Sequence, residues 1–110
     1  MRKYNIVGVM SGTSMDGLDI AHVTLEELQE GKWEYTINAA TTVKYGETWR
    51  LRLSKLRHQN SLVFHKTDRF YGQFIGENIK KFLTANNLEA DLISSHGHTV
   101  FHQPENNISV

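Results

Sequence analysis

Tyr4-Asn-Ile-Val-Gly-Val-Met-Ser-Gly-Thr-Ser-Met-Asp-Gly-Leu-Asp-Ile-Ala-His-Val-Thr-Leu25 decides the fold. Tyr4 to Met10 is β-branched and apolar with little alternation, which predicts a central strand buried on both faces. Gly12 to Gly17 is rich in glycine and hydroxyl residues and predicts the turn that follows. From Leu18 to Leu25 the pattern alternates. Leu18, Ile20, His22 and Thr24 fall on one side, and Ala21, Val23 and Leu25 fall on the other. This predicts a second strand returning antiparallel to the first.

The turn carries the chemistry. Gly8-Val-Met-Ser-Gly-Thr-Ser-Met-Asp-Gly-Leu-Asp19 holds three glycines, three hydroxyl side chains and two carboxylates directly after an apolar strand. Such a segment can bend sharply and turn backbone N–H groups and hydroxyls toward an anion, as phosphate-holding turns do. A carboxylate beside it could steer magnesium through retained water. A plainer reading is a hairpin with Asp16-Gly17 as a type I′ pair. No lysine follows the glycines and a strand comes next, so the run is neither a Walker A loop nor a dinucleotide fingerprint. Gly-Thr-Ser-Met at 12–15 also surrounds the nucleophile of subtilisin-like proteases. Here Asp16-Gly17 follows, and no matching His or Asp neighbourhood is seen.

Outward from the first hairpin, Glu26 to Lys32 is charged and contains Gly31, which predicts a turn. Trp33 to Val43 has strong β character and completes a three-stranded meander. Glu47 to Leu56 has helical composition. Ser61 to Asn86 predicts a long helix whose apolar face is Phe70, Phe74, Ile75, Ile79, Phe82 and Leu83. Ser61 is its expected N-cap, Glu77 and Lys81 an expected pair, and Asn86-Asn87 its left-handed end. Gly72 and Gly76, one turn apart, predict close approach of that helix to the sheet. Asp91 to Ser95 reads as a strand parallel to the first. Thr99 to His102 is a short strand, 104–107 a turn, and Ile108 to Val110 the start of another strand. The chain ends inside that strand, which predicts a piece of a longer protein.

The 110 residues suffice for one small domain and fall short of a two-domain enzyme. Twelve basic and twelve acidic side chains cancel, and no Lys/Arg block suggests nucleic acid as a partner. There is no cysteine, which excludes disulfides, thiolate metal sites and a thiol nucleophile. Arg2, Lys3 and the short run Ile6 to Met10 resemble a signal peptide only superficially, because Ser11-Gly12 breaks the run. No stretch approaches about 20 apolar residues, so no membrane span is expected and a cytoplasmic location is.

A second cluster is Ser95-His-Gly-His-Thr-Val-Phe-His-Gln-Pro104. On an extended chain His96, His98 and His102 share a face, and three imidazoles could hold zinc in a hydrolase. Alternatively they are packing or surface histidines. A third reading is a substrate wall, in which Gly97 admits a ligand to the backbone and His, Thr and Gln offer donors to sugar hydroxyls. His22, His58 and His65 are isolated and read as structural or surface residues. Trp33, Trp49, Tyr35 and Tyr45 read as core and edge packing.

The run from Gly8 to Asp19, followed about 75 residues later by Ser95 to Pro104, resembles the N-terminal part of the anhydro-N-acetylmuramic acid kinase family. The resemblance covers essentially the whole chain and about the first third of the family's length. It implies the actin-like, sugar-kinase and Hsp70-type ATPase fold, an α/β architecture in which each lobe holds a ribonuclease-H-like core. Residues 1–110 would be the N-terminal part of the first lobe, an incomplete half-lobe. It implies that Gly12, Thr13, Ser14, Met15, Asp16, Gly17, Leu18 and Asp19 form the ATP phosphate loop. Asp16 is the expected magnesium-side carboxylate. His96, Gly97 and Thr99 are the expected sugar contacts. The implied reaction phosphorylates O6 of 1,6-anhydro-N-acetylmuramic acid and opens the anhydro bridge with water, in recycling of murein.

The family's water-activating aspartate lies in a later Asp-Thr-Gly-Pro-Gly-Asn type segment, which this sequence lacks. No catalytic residue is therefore expected here, and the chain alone is expected to be inactive. The second motif usually reads His-Gly-Gln-Thr, so His98 stands at the Gln position. A homodimer is the expected state of the full-length enzyme. The competing classes are the zinc hydrolase and a non-catalytic interaction module.

Overall fold

β1 (Lys3–Ser11), β2 (Gly17–Gln29) and β3 (Lys32–Lys44) form an antiparallel meander in the computed structural model, which describes residues 2–12 and 15–110. Two helices follow, α1 (Glu47–Lys55), extended by a 3-10 turn at Leu56–His58, and α2 (Ser61–Asn86). The chain then returns to the sheet as β4 (Leu92–Ser95), parallel to β1, giving the order β3-β2-β1-β4. A separate two-stranded ribbon joins β5 (His102–Gln103) to β6 (Ile108–Ser109) across a 3-10 turn at Pro104–Asn106. The expectation of three antiparallel strands, then a helix and a parallel strand, holds.

The alternation in β2 sets which face is dry. Leu18, Ile20 and His22 are buried with Val7 and Val9 of β1, beneath Tyr71, Ile75, Ile79 and Phe82 of α2. Burying each such large apolar side chain contributes about 1.5–3 kcal/mol. The other face of the sheet is open. Met10 is half exposed at 50 %, so β1 is central in pairing yet buried on one face only. The expectation of burial on both faces fails because no layer among the described residues covers Ile6, Gly8 and Met10.

Several local expectations are corrected. β2 runs on to Gln29, so most of 26–32 is strand and the turn narrows to the residues around Gly31, which has φ +77. Charged residues suit this stretch because it is exposed, and Arg2 Nη2 meets Glu27 Oε2 at 3.0 Å. That is the one ion pair among the described residues, so Glu77 and Lys81 do not pair. Asn60, not Ser61, caps α2, its side chain accepting from Val63 N at 2.9 Å. The buried stripe of α2 runs Thr67, Tyr71, Ile75, Ile79 and Phe82, and Phe70 is 53 % exposed. Tyr71 takes the inward position because its hydroxyl finds a buried partner. A Cβ at Gly72 or Gly76 would meet nothing within 4 Å, so neither glycine marks a close approach. The left-handed end is present, with Asn87 at φ 53.

Thr99 to His102 is strand only at His102. Val100 N and Phe101 N both donate to Val110 O, at 2.6 and 2.8 Å, an arrangement that is not a regular ladder. Asp91 sits just before β4, exchanging Asp91 N to Asn5 O at 2.7 Å and Asn5 N to Asp91 Oδ2 at 2.8 Å. His22 is structural, as expected. Its Nδ1 accepts from Asn38 Nδ2 at 2.9 Å, so Nε2–H donates to Glu89 O at 2.8 Å. The β2–β3 register shifts beside His22, at the point where Asn38 turns toward it.

Candidate functional site

Parallel pairing of β1 and β4 brings their carboxyl ends to one edge of the sheet. The connection after β1 and the segment after β4 therefore emerge side by side. That edge is where open α/β sheets receive ligands. Two main-chain bonds tie the segments together: His96 N donates to Val9 O at 3.0 Å, and Ser11 N donates to Gly97 O at 3.3 Å. Gly97 has φ +75, a conformation that favours glycine.

The connection after β1 is not the tight hairpin that Asp16-Gly17 could have made. Gly17 belongs to β2, and its φ is not in the left-handed region, whereas Met15 has φ 55. Gly17 is glycine for space: a Cβ there would lie 2.5 Å from Val43 O. Met15 N donates to Gly12 O at 3.2 Å, and Asp16 O accepts from Tyr45 N at 3.2 Å. The Gly12 and Asp16 amides donate to no described residue. Thr13 and Ser14 lie outside the described residues.

The two carboxylates differ. Asp16 is exposed. Asp19 is exposed as well, but its Oδ1 accepts from Thr42 Oγ1 of β3 at 2.6 Å, which fixes its direction. Leu18 between them is fully buried and faces the core, so only its backbone is near the loop. A magnesium ion takes one or two carboxylates and keeps much of its water. Exposed Asp16, with Asp19 held close in sequence, fits that donor set.

Behind the loop lies a buried polar chain that the sequence reading did not assemble. Tyr45 Oη donates to Ser11 Oγ at 2.7 Å, Tyr45 Oη and Tyr71 Oη are 2.7 Å apart, and Ser11 Oγ meets His98 Nδ1 at 2.8 Å. Burial pushes the Tyr45 phenol well above its ordinary range, so it stays protonated. Burial also lowers the His98 pKa, favouring a neutral ring. Tyr45 read only as packing, and packing is half of its role: it lies against Tyr71 and Phe74 at centroid distances of 6.4 and 6.0 Å. The parallel β1–β4 pairing expected from sequence was the signal that Ser11 and residues 96–98 would meet.

Of the expected sugar contacts, His96 is exposed and Gly97 and Thr99 are half buried, all at the loop edge. His102 lies apart in the β5–β6 ribbon, its Nδ1 3.4 Å from Ser109 Oγ. Among the described residues no three of His, Asp and Glu converge on a metal-holding point. The three-histidine zinc site is thereby set aside, because His98 spends Nδ1 on Ser11 and His102 points into its own ribbon contact. Beside the loop, the open sheet face forms a shallow trough floored by Ala40, Ala21, Gly8 and Ser94, which are in register across four strands. Asp19 and His96 stand on its rim.

Among the described residues no helix is long and apolar enough to cross a membrane. A family model described as anhydro-N-acetylmuramic acid kinase matches residues 4–110. Curated proteins of that name resemble the chain. The one from Neisseria meningitidis is 34% identical over 112 residues, covering 94% of this chain and 29% of the relative. That from Paramagnetospirillum magneticum is 32% identical over 101 residues, covering 89% and 27%. That from Bacillus cereus is 30% identical over 106 residues, covering 91% and 27%. The chain thus spans less than a third of the length of these relatives. With that span of matched sequence laid on a mixed sheet whose strand ends bring Ser11 beside His96, Gly97 and His98, the chain belongs to the anhydro-N-acetylmuramic acid kinase family.

Proposed function

We propose that this chain provides the phosphate-holding part of an ATP-dependent kinase acting on 1,6-anhydro-N-acetylmuramic acid. The observation that carries the reading is the meeting of the two family motifs at one sheet edge, joined by Ser11 N to Gly97 O and Ser11 Oγ to His98 Nδ1. One loop offers amides and carboxylates suited to a phosphate tail, and the other offers donors suited to a sugar. The fold is read as the start of a ribonuclease-H-like lobe of the actin-like ATPase type. Residues 1–110 form an incomplete first lobe, and a cytoplasmic, homodimeric whole enzyme completes the picture.

Within that reading, residues Gly12 to Asp19 hold the phosphates, with backbone amides near Gly12 and Asp16 turned to the anion. Thr13 and Ser14 add hydroxyls. Asp16 is the residue that would hold magnesium, through water, and Asp19 supports it from its fixed position against Thr42. Magnesium, when bound, screens the charge that gathers on the phosphate oxygens. His96, Gly97 and Thr99 orient the sugar beside the loop. In the overall reaction, water adds to C1 as the C1–O6 bond breaks. O6 takes the γ-phosphoryl group, and ADP leaves. The products are N-acetylmuramic acid 6-phosphate and ADP. The base that takes the proton from water is supplied by later sequence, so this chain binds and orients without turning over.

Magnesium-ATP titration of the isotope-labelled chain, followed by amide NMR, tests the reading. The expected result is saturable shifts confined to Gly12–Asp19 and their strand ends, smaller in Asp16→Asn, with no ADP formed. The reading is overturned if these amides stay still at millimolar-scale nucleotide, or if the chain alone makes ADP.

A further inference from the structure

A second, smaller pocket lies next to the loop, between α1 with the turn after it and the segment after Gly97. Ser54, Arg57, His98 and Thr99 line it together with apolar Met15, Leu53 and Val100. Its volume is about 230 Å³. Sites for whole small-molecule ligands begin at about 300 Å³. The space therefore suits one substituent of a ligand rather than a whole sugar. No Asp or Glu lines it. The Arg57 guanidinium makes no ion pair among the described residues, and only its Nε is engaged, with His58 Nε2 at 3.3 Å.

The hydroxyl chain bears on what His98 shows to this pocket. Tyr45 donates its hydrogen to Ser11 Oγ. Tyr71 must therefore donate to Tyr45, and Ser11, which can accept and donate at once, is able to pass its own hydrogen to His98 Nδ1. With Nδ1 accepting, a neutral ring carries its proton on Nε2, at the far side from Ser11. Three hydroxyls that all point one way would make His98 a hydrogen-bond donor through Nε2. A cation, a neutral N–H and the Thr99 hydroxyl around a small space without carboxylates make a receptor for a single acid group.

We propose that this pocket receives a carboxylate substituent of the sugar, with Arg57 as its charge partner and His98 Nε2–H as its second donor. Ser11, Tyr45 and Tyr71 act as positioning residues that set the His98 tautomer. The proposal rests on the sugar-kinase reading above: a muramic acid carries one lactyl carboxylate, and a phosphate-loop neighbour with an unpaired guanidinium is suited to receive it. Inorganic phosphate is the other source of a compatible anion.

The test uses the chain labelled with nitrogen-15 in histidine and arginine. Long-range nitrogen–proton correlation spectra at neutral pH report the tautomer of His98. The expected form is Nε2–H, and Tyr45→Phe, which removes the donor to Ser11, is expected to give a mixture of tautomers. D-lactate is the carboxylate probe. It should shift the Arg57 Nε–H and His98 Nε2–H signals saturably. Arg57→Gln, at an exposed position, should weaken lactate by about tenfold or more while leaving the fold intact. An Nδ1–H ring in the unsubstituted chain, or lactate that moves neither signal, overturns the proposal. So does inorganic phosphate competing with lactate at lower concentration. A parallel magnesium-ATP titration separates the two readings. Loop shifts without lactate binding sink the pocket alone. Lactate binding without loop shifts sinks the kinase reading.

Discussion

His98 takes its character from what stands behind it. Its Nδ1 is 2.8 Å from Ser11 Oγ, and it is half buried between the Asp68, Tyr71 and His96 side of one pocket and the Arg57 side of the other. Burial alone lowers its pKa. A histidine with a lowered folded pKa binds its proton less readily in the native chain than in the unfolded one. Stability from this group is therefore complete above the ordinary histidine value of about 6.5 and is lost as pH falls from there through the lowered value. Protonation would also make Nδ1 a donor to Ser11, which already accepts from Tyr45. The expected outcome is a urea midpoint that falls between about pH 7 and pH 5, with a slope reduced in His98→Gln, which has no charge to gain. Equal slopes in the two proteins would show that another group governs acid sensitivity.

The elements around the site explain why a glycine opens β2. Gly17 enters β2 where β3 presses closest: a Cβ would lie 2.5 Å from Val43 O and 3.1 Å from Val43 C, both main chain. Gly17→Ala is expected to cost about 1–3 kcal/mol, because the ladder rather than a side chain must move. Gly8→Ala, in the same sheet with nothing within 4 Å of its Cβ, is expected to be neutral or to stabilise by up to about 1 kcal/mol. Denaturant unfolding of the pair decides: equal losses would mean that crowding is not the reason for Gly17. These elements also show what the sequence could disclose. Alternation from Leu18 to Thr24 revealed the dry face, and the glycine–hydroxyl run revealed the loop. Composition misled at 26–32, where charges sit on an exposed strand rather than in a turn. It misled again at Phe70, because apolar spacing cannot favour Tyr71 without knowing that Tyr45 waits for its hydroxyl. Of the chain from Tyr71 to His98, only the meeting of Ser11 with residues 96–98 had a signal, the expected parallel pairing, and the tyrosines had none. Its bonds join residues 34 and 87 positions apart, and only the assembled β1–β4 edge brings them together.

The whole molecule is broader than its length requires. Its radius of gyration is 16.2 Å and its extents are 48 × 36 × 22 Å. A compact domain of about this length has a radius near 13 Å. The excess fits a sheet that the described residues cover on one face only: α2 packs there, while the other face carries apolar side chains in register. Tyr35 and Ile37 of β3 are 68% and 58% exposed. They pair across the sheet with Leu25 and Val23, and these with Tyr4 and Ile6, the last beside Leu92 of β4. Contiguous apolar surface of this kind is uncommon on stable monomers and drives association. The isolated chain is therefore expected to self-associate through this face. Light scattering should give a mass above the 12.6 kDa monomer that rises with concentration. Replacing Tyr35 and Ile37 together with threonine keeps β propensity while removing apolar area, and should return the mass toward the monomer. A unsubstituted chain that stays a uniform monomer across the same concentrations would show that the open face does not drive assembly. Association that persists undiminished in the double variant would place the contact elsewhere, the outer edge of β4 in the order β3-β2-β1-β4 being the alternative.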